Sequence, residues 1–174
     1  NFEGEENLSD TAKITAAMTR ARDYAMSQYR SVAAYMKRLG IEKPIHIGET
    51  GWASSCNDHY GANGAKATDE YKEGLYYRLM REWTNRERIA CFYFEAFDEI
   101  WKDAGNPGGS ENHFGLFTLD GQAKYAVWDL VDKGVFKGLG RDGKPILKTH
   151  GGNQAALLEN VPLPPLKAEK AGGN

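Results

Sequence analysis

The side chains in this sequence that could do chemistry are carboxylates, set among aromatic rings and one lysine. Glu49 closes the run "PIHIGETGW", with Gly48 before it and Gly51 and Trp52 just beyond. A glutamate at the end of an apolar strand faces the connecting loops. Glycines there let the backbone approach a ligand closely, and an indole offers a flat face to a sugar ring. An ordinary polar residue where a strand surfaces would look the same. Asp98, Glu99, Trp101 and Lys102 follow one another in "DEIWK", a set able to bind a polar sugar, although solvation of a loop accounts for them equally well. Glu95 sits inside the aromatic run "IACFYFEAF", where a charge is costly unless paired. It either pairs with an Arg or Lys in a structural network or reaches a cleft. Glu111 and His113 lie in a later loop, just before Phe114.

Carboxylates and rings suit cleavage of a glycosidic bond, in which one carboxyl group attacks or activates water while another protonates the leaving oxygen. Other chemistries lack their parts. There is no phosphate-binding loop, no G-x-G-x-x-G at a strand–helix turn and no G-x-S-x-G. The histidines, at 46, 59, 113 and 150, show no clustered ligand spacing, so neither a metal nor an organic cofactor is expected. His46 alternates with the strand isoleucines and either points toward the cleft or packs as a neutral ring. A net charge of −2 argues against a nucleic-acid partner. No apolar run approaches the roughly 20 residues of a membrane span. Cys56 and Cys91 could pair or stay free, which leaves the redox compartment open.

These groups need elements to hold them. From Ser9 or Asp10, apolar residues recur every three or four positions as far as Leu39, with Gly40 the expected stop and a break near Ser27 allowed for. A short strand follows Pro44. After a long Gly- and Asn-rich loop, a second helix is predicted from about Thr68 to Glu82. Residues 89–97 read as a strand buried on both faces, as in a parallel sheet covered by helices. "LFTLDG" reads as an extended segment and turn, about Ala123 to Asp132 as a third helix, and "GLGRDGKPILK" as a turn and short extended run. The fold class is α/β, built from repeating units with elaborate loops. Two strands cannot close a parallel α/β core, so the chain is expected to need more sheet than it contains. "NFEGEENLSD" opens as loop rather than as a domain start, as a processed protein or a fragment would. From about Gly151 the chain reads as a C-terminal extension whose last dozen residues have little to pack.

"GETGWAS" resembles the strand-seven signature of glycoside hydrolase family 17, the β-1,3-glucanases and related glucan-modifying enzymes. "FEAFDEIWK" and "ENHFGLFTLDGQAKY" resemble that family's strand-eight region and the loop after it. The match spans roughly residues 44–128. The resemblance implies that residues 1–150 are the C-terminal part of a (β/α)8 TIM barrel, about strands seven and eight with flanking helices, completed by polypeptide not in this chain. It implies that Glu49 is the nucleophile of a retaining hydrolase acting on β-1,3-glucan of the laminarin type. The general acid/base glutamate, at the end of strand four in the family, is not among these residues. The family's charged cleft residues fall on Glu99, Lys102 and Glu111, and its "GLF" phenylalanine on Phe117. Trp52, Trp101 and Phe114 join Phe117 as candidate ring platforms. Trp-Ala-Ser replaces the Trp-Pro-Ser of many members, and the "FDE" form is closer to bacterial than to plant members. Two alternatives stay open, a β-glucan transglycosylase on the same scaffold and a non-catalytic glucan-binding fragment. The expected partners are a β-glucan and the N-terminal part of the barrel, possible as a separate chain. The expected location is extracellular or periplasmic.

Overall fold

The computed structural model describes residues 4–57 and 66–164. Helix α1 (Asp10–Arg38) opens on Ser9, whose hydroxyl accepts the Ala12 amide. It closes as the pattern requires. Gly40 takes a positive φ of 67°, its amide bonds to the Lys37 carbonyl, and the Ile41 amide returns to Met36. The break allowed for near Ser27 is absent, and α1 is continuous. The hydroxyls of Ser27 and Ser31 bond back to the carbonyls of Tyr24 and Ser27, so these serines are satisfied within the helix.

Strand β1 (Ile47–Thr50) follows, then helix α2 (Glu70–Glu87), capped by the Asp69 carboxylate on the Lys72 amide. α2 runs past the expected end at Glu82 because Trp83 and Thr84 still face the core. It stops at Arg88, whose φ is 55°. Strand β2 (Cys91–Tyr93) pairs parallel with β1, Ile47 opposite Cys91 and Thr50 opposite Tyr93. The expected nine-residue buried strand is therefore corrected to three. Beyond Tyr93 the backbone leaves β1 and bonds instead to the 114–117 segment, Glu95 amide to Phe114 carbonyl and Leu116 amide to Glu95 carbonyl. Phe92, expected to be buried, is 65% exposed, because its face of the sheet meets no second layer among the described residues.

The predicted third helix starts late. Ala123 bridges Phe117 on one side and Lys148 on the other, so it and Lys124 are extended. A 3-10 turn (Tyr125–Val127) then leads into α3 (Trp128–Asp132). Strands β3 (Gly140–Arg141) and β4 (Lys144–Pro145) form a hairpin through Asp142 and Gly143, both at positive φ, as a tight two-residue hairpin turn demands. Helix α4 (Gln154–Leu158) brings Leu157 into the main core.

That core joins Ile14, Met18 and Met26 of α1 to Tyr71, Tyr76, Met80 and Trp83 of α2, with Trp128. Trp83 is fully buried, its ring edge-on to Tyr29 at 5.6 Å. A smaller cluster around Ala123, Ala126 and Val127 gathers Phe117 and Phe136. Lys72, buried on α2, donates to the Pro162 carbonyl at 2.7 Å and so holds the segment after α4 against the core. Residues after 164, where most of the expected loose tail falls, lie outside the described residues, as does His59. Cys56 and Cys91 are both free thiols. Among the described residues no helix is long and apolar enough to cross a membrane, and no three His, Cys, Asp or Glu side chains group as metal ligands do.

Candidate functional site

The parallel pairing of β1 and β2 sets their exits side by side. The Phe94 amide bonds to the Thr50 carbonyl at 2.7 Å. At Gly51 the two chains come so close that a Cβ would stand 2.0 Å from the Phe94 carbonyl oxygen. The glycine of "GETGW" is thus explained by backbone contact. Glu49, one residue inside the end of β1, is exposed. Trp52 is half-buried, its indole N–H donates to the Ala67 carbonyl at 2.8 Å, and its ring lies 5.2 Å from that of Tyr76.

At the β2 exit, Lys102 gathers three groups. Its ammonium is 2.5 Å from Glu95 Oε2, 3.4 Å from Glu99 Oε2 and 3.7 Å from the centroid of the Phe94 ring. An ammonium over a ring face is held by the ring quadrupole. The open alternative for Glu95 resolves to a pairing with lysine. Burial raises its carboxyl above the ordinary glutamate range, and the Lys102 contact opposes the rise. Trp101 projects outward, 70% exposed, with Lys102 5.8 Å from its ring. Phe114 packs edge-on against Phe94 at 5.6 Å, and the Glu99 amide bonds to the Asn112 carbonyl, which draws the Glu111 turn (Ser110–Asn112) toward the same exit. Glu111 itself is exposed. Phe117 is turned elsewhere, packed 5.3 Å from both Phe97 and Phe136.

One sequence candidate is displaced. Asp98, read with Glu99 and Lys102 as a sugar-binding set, is buried. Its Oδ1 accepts the Gly115 amide at 2.9 Å and the Lys124 ammonium at 2.7 Å. Sequence reading missed Lys124, and also Ser54, whose hydroxyl takes the same ammonium at 2.6 Å. Nothing in "GQAKYAV" marks its lysine as buried, because the lysine's partners lie far away in the chain. His46 is exposed beside β1. His113 turns its ring to the Pro107 carbonyl at 3.1 Å.

A groove of about 1290 Å³ runs between α1 and β1, lined by Met18, Ala21, Ala25, Tyr29, Ile45 and Ile47 among others, with Glu49 on its border. Its apolar walls are the inner face of a helix and the side of a strand.

Comparison with known proteins gives a consistent picture. The family model for glycosyl hydrolases family 17 matches residues 22–128, more than half of the chain. A glucan 1,3-beta-glucosidase of Arthroderma benhamiae is 40% identical over 111 residues, covering 56% of this chain and 34% of its own length. The glucan endo-1,3-beta-glucosidase 8 of Arabidopsis thaliana is 30% identical over 143 residues, covering 78% of this chain and 27% of its own. In structure, the chain superposes on an endo-laminarinase from Formosa Hel1_33_131 with a TM-score of 0.91 and 65% identity, over 95% of this chain and 42% of that one. The chain thus spans about a third of the length of the curated relatives it matches.

Proposed function

The chain belongs to glycosyl hydrolases family 17, and on that premise we propose that it supplies the nucleophile-bearing part of a retaining enzyme that cleaves β-1,3-glucan. The observation that carries the reading is an exposed Glu49 near the end of a strand whose parallel neighbour leads, at its own exit, into the cluster of Glu95, Glu99 and Lys102. The 65% identity to an endo-laminarinase supports the laminarin-type substrate.

Glu49, ionised, attacks the anomeric carbon and forms a glycosyl–enzyme. A second carboxylic acid protonates the departing oxygen and then activates water. In a retaining pair the two carboxyl groups stand about 5–5.5 Å apart. No carboxylate of this chain is assigned the second role. Glu95 and Glu99 are occupied with Lys102, and the acid comes from polypeptide outside these 174 residues. Lys102 donates to a sugar hydroxyl, Glu99 and Glu111 accept from hydroxyls, and Trp101 offers a stacking face. Trp52 and Phe114 line the floor. Phe117, engaged by Phe97 and Phe136, belongs to the wall behind it. The chemistry requires no metal and no organic cofactor. A polysaccharide substrate favours a location outside the cytoplasm, extracellular or periplasmic.

The same proposal includes the architecture, the C-terminal part of a (β/α)8 barrel. Among the described residues the edge of β1 away from β2 pairs with no strand, and the groove beside it is apolar. A slot walled by a helix and a strand edge suits another strand, which would satisfy the open backbone groups; a sugar would find few hydrogen-bonding partners there.

The test is NMR of the products formed from a laminarin-type glucan by the full-length protein. The expected first product is the β-anomer, and Glu49→Gln should lose turnover while keeping oligosaccharide binding. An α-anomer, or hydrolysis by Glu49→Gln near the original rate, rejects the mechanism. Longer transfer products would indicate transglycosylation.

A further inference from the structure

Lys124 is 2% exposed, and its amino end lies in the interior among polar partners. Its ammonium reaches Ser54 Oγ at 2.6 Å, Asp98 Oδ1 at 2.7 Å and the His113 carbonyl at 3.5 Å, with Glu73 Oε1 at 3.8 Å. Three of these partners stand on three separate segments of the candidate site. Ser54 is two residues past Trp52 on the β1 exit, Asp98 immediately precedes Glu99 on the β2 exit, and His113 lies between Glu111 and Phe114.

The segments are also laced to one another around that ammonium. The Ser54 amide and hydroxyl both donate to the His113 carbonyl, at 2.8 and 3.1 Å, and the Gly115 amide donates to Asp98. The charge balance is local. Glu73 is completely buried and neither carboxylate oxygen has a hydrogen-bond partner. Burial holds its carboxyl well above the ordinary range, and the carboxylate in direct contact with the ammonium is that of Asp98, at 2.7 Å.

A buried ion pair is a poor way to add stability, since an apolar replacement of similar volume is often as good. What it supplies is direction. An ammonium has three donors with fixed angles, and these fix where the loops bearing them can sit.

We propose that Lys124 is a positioning residue that sets the β1 exit, with Glu49, against the β2 exit, with Lys102. It touches no substrate and acts through Ser54, Asp98 and the His113 carbonyl. The inference rests on the hydrolase reading above.

The experiment is steady-state kinetics of the full-length protein on laminarin-type oligosaccharides, well below the melting temperature of each variant. Lys124→Met should lower kcat about 100-fold, the cost of misplacing a reacting group by about 1 Å, with KM within about threefold. Ser54→Ala removes one hydroxyl and should fold normally. It should lower kcat about tenfold or more, the loss of one hydrogen bond to a charged group, with a Tm lowered by only a few degrees. In the Lys124→Met background, Ser54→Ala should do nothing more. Wild-type turnover with kcat unchanged in Ser54→Ala overturns this inference alone, as does a folded Lys124→Met that loses only in KM. A wild type with no turnover overturns the hydrolase reading and this inference with it.

Discussion

Lys102 and Glu95 are joined by a 2.5 Å contact between Nζ and Oε2, and both side chains are largely shielded from water. The ammonium stands over the ring of Phe94, the residue just before Glu95. The ammonium is held from three sides at the β2 exit, by Glu95, Glu99 and the Phe94 ring.

Removing that ammonium should cost transition-state binding more than stability. A charge-assisted hydrogen bond to a sugar hydroxyl contributes about 1.5–3 kcal/mol, so Lys102→Ala should reduce kcat/KM about 10- to 100-fold. Glu95→Gln keeps the shape but loses the counter-charge, and should fall between wild type and Lys102→Ala. Unchanged kcat/KM in Lys102→Ala on laminarin-type oligosaccharides would take the pair out of the cleft.

Trp101 is exposed, so its truncation should leave the fold alone. Trp101→Ala is expected to change stability by no more than about 0.5 kcal/mol. It should weaken oligosaccharide binding about fivefold or more, measured by calorimetric titration into an inactive Glu49→Gln background. Equal affinity with and without the indole would show that no sugar stacks there.

Gly51 should tolerate no side chain. A Cβ 2.0 Å from the Phe94 carbonyl oxygen must push the β1 and β2 exits apart, because the obstacle is backbone. Gly51→Ala should destabilise by about 1–3 kcal/mol, the usual range for overpacking, and depress kcat by displacing Glu49. Chemical denaturation and kinetics of the same sample would show both effects. A variant with wild-type Cm and kcat contradicts the close approach.

Glu73 gives a pH signature. Its buried carboxyl holds a proton to higher pH than it does in the unfolded chain, where the value is about 4.3. Above that pH the folded state binds more protons, so stability contributed by this group is full below about pH 4.3 and declines as pH rises toward the raised folded value. Glu73→Gln has no proton to lose. Its Tm relative to wild type should rise between pH 4 and pH 8, as the wild-type carboxyl loses stability and the amide does not. A Tm difference that does not vary with pH would mean that Glu73 stays ionised in the fold.

Much of the architecture was legible in the residues. The i, i+3, i+4 pattern, Ser9 and Gly40 delimit α1 through local backbone bonds alone, and "RDGK" specifies the β3–β4 turn for the same reason. Where the reading erred, the deciding contact was remote. β2 is short because the chain beyond Tyr93 finds partners at 114–117. α3 starts late because Ala123 is drawn into an extended bridge with Phe117 and Lys148. Neither partner is visible from a window around the strand or the helix.

The site divides along the same line. Legible in the residues alone were a glutamate between glycines near the end of a strand, aromatic and charged residues crowding the next strand's exit, and a resemblance of these runs to one family of glucan-cleaving enzymes. Those are properties of residue type and near spacing. Which carboxylate faces outward and which is used up inside emerged from the folded chain. Asp98 and Glu99 are neighbours in the chain, but Asp98 turns in to Lys124 and Glu99 turns out to Lys102. A charge can be buried only where an opposite charge and donors arrive to meet it, and they arrive from residues 26 and 17 positions away.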